Sequence, residues 1–101
     1  MLQTNFCATS EQLALQRALR LLLVEAAVAP EGQITAAQRA AVPPVTWLDR
    51  IETMIDATVQ AGDTQPHVVT DNQVRDALIR IGAIATLGIA AIERAQGVGH
   101  V

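Results

Sequence analysis

The chain contains no lysine and no tyrosine, a single cysteine, and only two aromatic residues, Phe6 and Trp47, among its 101 residues. Each shortage removes a class of protein. One cysteine, Cys7, rules out an intrachain disulfide framework and a cysteine-rich zinc site, and its place in a leader ahead of the first helix marks it as an inert thiol. Seven basic residues, all arginine, against ten acids give a net charge of −3, and no basic stripe carries interleaved aromatics, so nucleic acid is not an expected partner. The first residues, MLQTNFCATSEQ, have no basic start followed by an apolar run, which makes the cytoplasm the expected location. No stretch alternates apolar and polar residues long enough to form a half-buried strand. Nor does any repeat or linker divide a chain whose length suits one domain.

What the chain does have is small aliphatic residues: half of it is apolar, nearly all Ala, Leu, Ile and Val. These pack helices closely but fill space poorly alone, and helical spacing occurs three times, so the fold class is all-α. The expected architecture is a small helical bundle of three long helices plus one short helix, completed by homo-oligomerisation. Thr9-Ser10-Glu11-Gln12 has the form of a capping box and opens a first helix over 10–28, stopped by Pro30 and Gly32. Thr35 and Gln38 repeat the pattern for a short helix over 36–41, ended by Pro43-Pro44. Thr46 is the expected cap of a third helix over 47–61, closed at Gly62. Thr70 and Gln73 form the third box, ahead of a last helix over 71–96 closed by Gly97; Val68-Val69 is the expected staple at its entry. Residues 1–9 and 97–101 are expected to be flexible.

From Ile81 to Ile92 the last helix runs twelve residues without a charge. A membrane span needs about 20 apolar residues, so this is a core helix and no membrane is implied. Leu78, Ile81, Ala85, Gly88 and Ile92 form one stripe, with Ile84 beside it, and a helix apolar nearly all round must be covered nearly all round. Two other long helices cover two sides. The third is expected to meet another copy of the chain, with Gly82 and Gly88 allowing close approach and Leu78, Ile81, Gly82, Ile84, Ala85, Gly88 and Ile92 as the interface; the alternative is a core helix fully covered within a compact monomer.

Asp49, Glu52 and Asp56 recur at i, i+3 and i+7, which puts three carboxylates on one face of the third helix. Such a stripe either binds a hard cation such as Mg²⁺ or is a solvated face opposite Ile51, Ile55 and Val59. The stretch WLDRIETMIDATVQAGD followed by NQVRDALIRIGAIATLGIAAIER, Trp47 to Arg94, resembles in layout the MazG-like all-α nucleoside triphosphate pyrophosphohydrolases. In that family Glu-x-x-Glu on one helix and Glu-x-x-Asp on the next hold Mg²⁺ against a triphosphate. The resemblance implies that Asp49, Glu52, Gln73 and Asp76, with Asp56 nearby, occupy the metal positions. Asp49 shortens one ligand, Gln73 removes a charge, and Trp47 and Leu48 stand where the family carries a double acid, which implies a catalytically impaired member. Such a member can still bind a nucleotide through Arg50, Arg75 or Arg80. His67 is the one candidate base, and no nucleophile triad or glycine-rich phosphate loop accompanies it.

Two functions follow as expectations. The first is a small helical oligomer acting by protein–protein contact, in the manner of accessory proteins of bacteria, phages or mobile elements. The second is a Mg²⁺-dependent nucleotide pyrophosphohydrolase or its nucleotide-binding relative.

Overall fold

The computed structural model describes residues 9–63 and 69–97, and the leader with Cys7, the turn with His67 and Val68, and the tail 98–101 lie outside them. Within the described residues the fold is all-α, and no strand occurs. The order is α1 (Ser10–Val28), α2 (Pro30–Gln33), α3 (Ala36–Ala40), α4 (Pro44–Asp63) and α5 (Asp71–Ala95).

The three Thr-x-x-Gln boxes start three of these helices. At α1, Thr9 Oγ1 accepts from the Gln12 amide at 3.1 Å and Gln12 Oε1 accepts from the Thr9 amide at 2.7 Å. The same reciprocal pairs join Thr35 with Gln38 and Thr70 with Gln73. Each box satisfies two backbone donors that a helix start leaves open, worth about 1 kcal/mol per cap.

The first helix has the expected bounds, whereas the one-turn α2 was not expected and α4 both starts earlier, at Pro44, and runs past Gly62 to Asp63. Pro30 does end α1, because the residue before a proline is held extended, and Ala29 lies at φ −64°, ψ 151°. Pro30 then opens α2, a single turn, at a position where its fixed φ and missing N–H cost nothing. By the same logic Pro44 rather than Thr46 begins α4, and the Thr46 amide donates to Pro43 O at 2.9 Å. The corner from α1 to α3 is tied by side chains that serve open carbonyls. Gln33 Nε2 donates to Ala27 O at 2.7 Å, and Arg39 Nη1 donates to Ile34 O at 2.6 Å and to Glu31 O at 3.3 Å. At the far end α5 stops before Gly97, whose φ of 83° is the left-handed turn a helix end favours in glycine.

All four other helices pack on α5, while α1 and α4 do not form a packed pair among the described residues. The buried set reflects that plan: Ala83, Ile84, Gly88 and Ala91 of α5, Trp47 of α4, and Ala26 and Ala29 at the first corner. Ile84 and Ala91 gather around Trp47, with Val42, Ile51, Met54, Leu87 and Ile92 packed at the edge. The core is thin. Ile84 is the only large side chain among the described residues less than 2% exposed, and the smallest extent of the molecule is 19 Å, about two helix layers.

Candidate functional site

Two surfaces stand out, a polar cleft and a projecting helical arm. The cleft is formed where α2 meets the α4–α5 pair. Glu31, carried on the one-turn helix that Pro30 opens, has a side chain only 12% exposed and binds Arg50 of α4 at 2.6 Å, Nη1 to Oε2. Beside this pair lies an open cavity of about 610 Å³. Arg80, Asp76 and Gln73 line it from α5, and Met54, Ala57, Thr53 and Thr58 from α4. Its size falls within the ~300–1,000 Å³ usual for small-molecule sites.

Two guanidinium groups and two carboxylates of the cleft balance in charge. The hydroxyls of Thr53 and Thr58 donate to Asp49 O and Met54 O of their own helix, each at 2.9 Å. The side-chain oxygen of Gln73 accepts from the Thr70 amide, as the capping box requires. Asp76 Oδ1 lies 3.3 Å from Arg75 Nη1 in an exposed pair. Arg80 has no ion-pair partner among the described residues, so it is the group best placed to meet an anionic ligand.

The residues expected to hold Mg²⁺ are not brought together. Asp49, Glu52 and Asp56 are exposed on α4 and do not line the cleft, whereas Asp76 and Gln73 do. Among the described residues no group of three His, Cys, Asp or Glu stands close enough to hold a metal ion. The three acids share one exposed face of α4, and that face does not line the cleft that Asp76 lines. Of the expected phosphate ligands, Arg50 and Arg80 share the cleft, while Arg75 lies outside it beside Asp76. The candidate base His67 lies outside the described residues.

Most of the seven residues expected at an interface pack within one chain. Gly88 lies against Trp47, Gly82 against Leu22 of α1, and Ile84 is 1% exposed, so these three are consumed by packing within one chain. Ile92 packs at the edge of the same core, and Ile81 and Ala85 are half-buried. Only Leu78, 61% exposed, remains open among the seven. The covering helices come from the same chain because α1, α3 and α4 all converge on α5.

The apolar surface left open is mostly elsewhere. Every residue of α1 from Ser10 to Arg20 is exposed, so its first three turns project as an arm. On it Leu13, Leu15 and Leu19 are 53%, 54% and 59% exposed. The signal was present in the stripe Leu15, Leu19, Leu22, Ala26, whose steps of four, three and four define one helix face. Its inner half is seated, Ala26 buried and Leu22 against Gly82, while Leu15 and Leu19 of its outer half are more than half exposed. No described helix is long and apolar enough to cross a membrane.

Comparison of the chain with protein-family models, with curated proteins and with solved structures finds no match to any of them.

Proposed function

We propose that this chain is one helical domain that works as a self-associating accessory protein of the cytoplasm, acting through protein–protein contact rather than catalysis. The observation that carries this reading is the arm. The first three turns of α1 are exposed throughout and carry Leu15 and Leu19 on one side, an apolar face that burial against a partner would stabilise. Of the described residues, fourteen large aliphatic side chains are between 38% and 67% exposed, and three of them, Leu15, Leu19 and Leu23, follow one another at steps of four on one side of the first four turns of α1. Single exposed leucines are ordinary, but a continuous stripe of them marks an interface. The test is thermal unfolding over a hundredfold range of protein concentration. An obligate oligomer melts at higher temperature as concentration rises, whereas a concentration-independent midpoint speaks for a monomer.

A second reading draws on the cleft. Four of the residues singled out by the MazG-like resemblance, Arg50, Gln73, Asp76 and Arg80, line one cavity, which supports binding of a nucleotide or similar organic anion. Asp49, Glu52 and Asp56 do not line that cavity, which favours a binder over a Mg²⁺-dependent pyrophosphohydrolase. Melting with a nucleotide panel, with and without Mg²⁺, tests it. A ligand at ~100 times its Kd adds about 2.7 kcal/mol of stability, and an unmoved midpoint with every nucleotide removes this reading.

A further inference from the structure

The geometry points to the cleft as a site for a slender organic anion with a single charge and an aliphatic body, of the class of a medium-chain carboxylate. This rests on the cleft binding an organic anion, the broader part of the second reading above, and parts from that reading over the nucleotide. Helices α4 and α5 run antiparallel: Trp47 of early α4 meets Gly88 of late α5, while Ile55 and Val59 of α4 share a groove with Leu78 and Val74 of α5. The two walls of the cleft therefore run in step. From the Glu31 end, α4 presents Arg50, then Met54, then Ala57, and α5 presents Arg80, then Ala77, then Gln73, each one turn beyond the last. An arginine comes first on both walls, and apolar side chains follow.

Charge limits what can enter. Glu31 holds Arg50, and Asp76 lies beside Arg75 outside the cavity, which leaves Arg80 as the lining charge without an ion-pair partner among the described residues. One open guanidinium matches one carboxylate, which it can meet through two N–H donors. A triphosphate would bring several negative charges to a cavity that already contains Glu31 and Asp76, in a chain of net charge −3, and like charges set face to face are unfavourable. The body of the ligand meets little that asks for hydrogen bonds. Thr53 and Thr58 donate to carbonyls of their own helix, and the Gln73 oxygen is taken by the Thr70 amide. Met54, Ala57 and Ala77 offer apolar contact, and the two alanines leave room between the walls. From Arg80 back to Gln73 the wall is roughly 10 Å long at 1.5 Å per residue, about the length of extended octanoate.

Titration calorimetry of the whole chain with octanoate, hexanoate, butanoate, neutral octanol and adenosine triphosphate tests this. Octanoate is expected to bind once per chain, with affinity rising about two- to four-fold for each added methylene along the carboxylate series. Arg80→Gln, at an exposed position, is expected to keep the helical circular dichroism and to weaken octanoate about ten-fold or more, to the level of octanol. Ala57→Leu, also at an exposed position, extends a side chain into the cavity and is expected to erase the advantage of octanoate over butanoate. Octanoate binding that survives both substitutions, or that octanol matches in the wild type, overturns the assignment. Adenosine triphosphate binding without octanoate binding overturns it too, while leaving the second reading standing. No heat with any probe overturns both.

Discussion

Gly88 lies against the indole of Trp47 so closely that a Cβ added to the glycine would stand 3.0 Å from Cγ, 3.1 Å from Cδ2 and 3.2 Å from Cβ of the tryptophan. The ring is 4% exposed and central to the core, so it has no free direction in which to yield. Gly82 offers the contrast. Its added Cβ would meet Leu22 Cδ2 at 2.5 Å, but that atom is the tip of a side chain only partly buried, which can change rotamer.

The two glycines therefore predict opposite outcomes for one substitution. Alanine in place of glycine within a helix gains about 0.8–1.0 kcal/mol of propensity. At Gly82 that gain prevails, and Gly82→Ala is expected to be neutral or to stabilise by about 0.5 kcal/mol. At Gly88 overpacking prevails, and Gly88→Ala is expected to destabilise by about 1–2 kcal/mol. Urea unfolding of the two variants checks both signs. The same comparison shows that glycine spacing on α5 serves packing within the chain.

Gly32 sets a harder limit. A Cβ there would overlap the backbone oxygen of Ala26, which cannot move without unwinding the last turns of α1. Gly32→Ala is expected to cost at least about 2 kcal/mol and to lower the melting midpoint of this small domain by about 8 °C or more.

Trp47 carries the one buried side-chain polar atom without a partner among the described residues, its indole Nε1. Such a donor costs about 1–3 kcal/mol relative to water. Trp47→Phe removes that cost while losing part of the ring's contact, so it is expected to lie within about 1 kcal/mol of wild type, whereas Trp47→Ala loses about 3–5 kcal/mol. Chemical denaturation separates them. A large loss in Trp47→Phe would show that the N–H has found a partner.

The Glu31–Arg50 pair is predicted to couple weakly but measurably. Arg50 is 43% exposed, which limits the gain, while Glu31 is mostly buried, which raises the cost of leaving it alone. A double-mutant cycle with Glu31→Gln and Arg50→Gln should give about 1 kcal/mol at low salt, shrinking in 1 M salt. A zero coupling at low salt would mean that the cleft wall is not held by this contact.

Much of the fold was legible in the sequence because caps are local. Each Thr-x-x-Gln box needs only four consecutive residues, and all three formed where Thr9, Thr35 and Thr70 stand. Pro30 stopped the first helix as expected, but that Pro30 and Pro44 each also open a helix was missed, because local sequence does not say whether a proline will start the next element. The helix faces were legible too, including the stripe of Asp49, Glu52 and Asp56. Which face turns inward was not, since that depends on how α4 rolls against α5, set by the seat of Trp47 on Gly88. The cleft was half visible: Arg50, Gln73, Asp76 and Arg80 were named, but Glu31 was hidden in a segment read as a helix stop. The arm was visible only as a stripe, because exposure of Leu15 and Leu19 follows from where the rest of the chain ends its coverage of α1.

Self-association is the claim on which the functional account depends, and sedimentation equilibrium at micromolar concentration tests it most directly. The account predicts a species at twice the 10.7 kDa chain mass. A single species at 10.7 kDa across that range would contradict it.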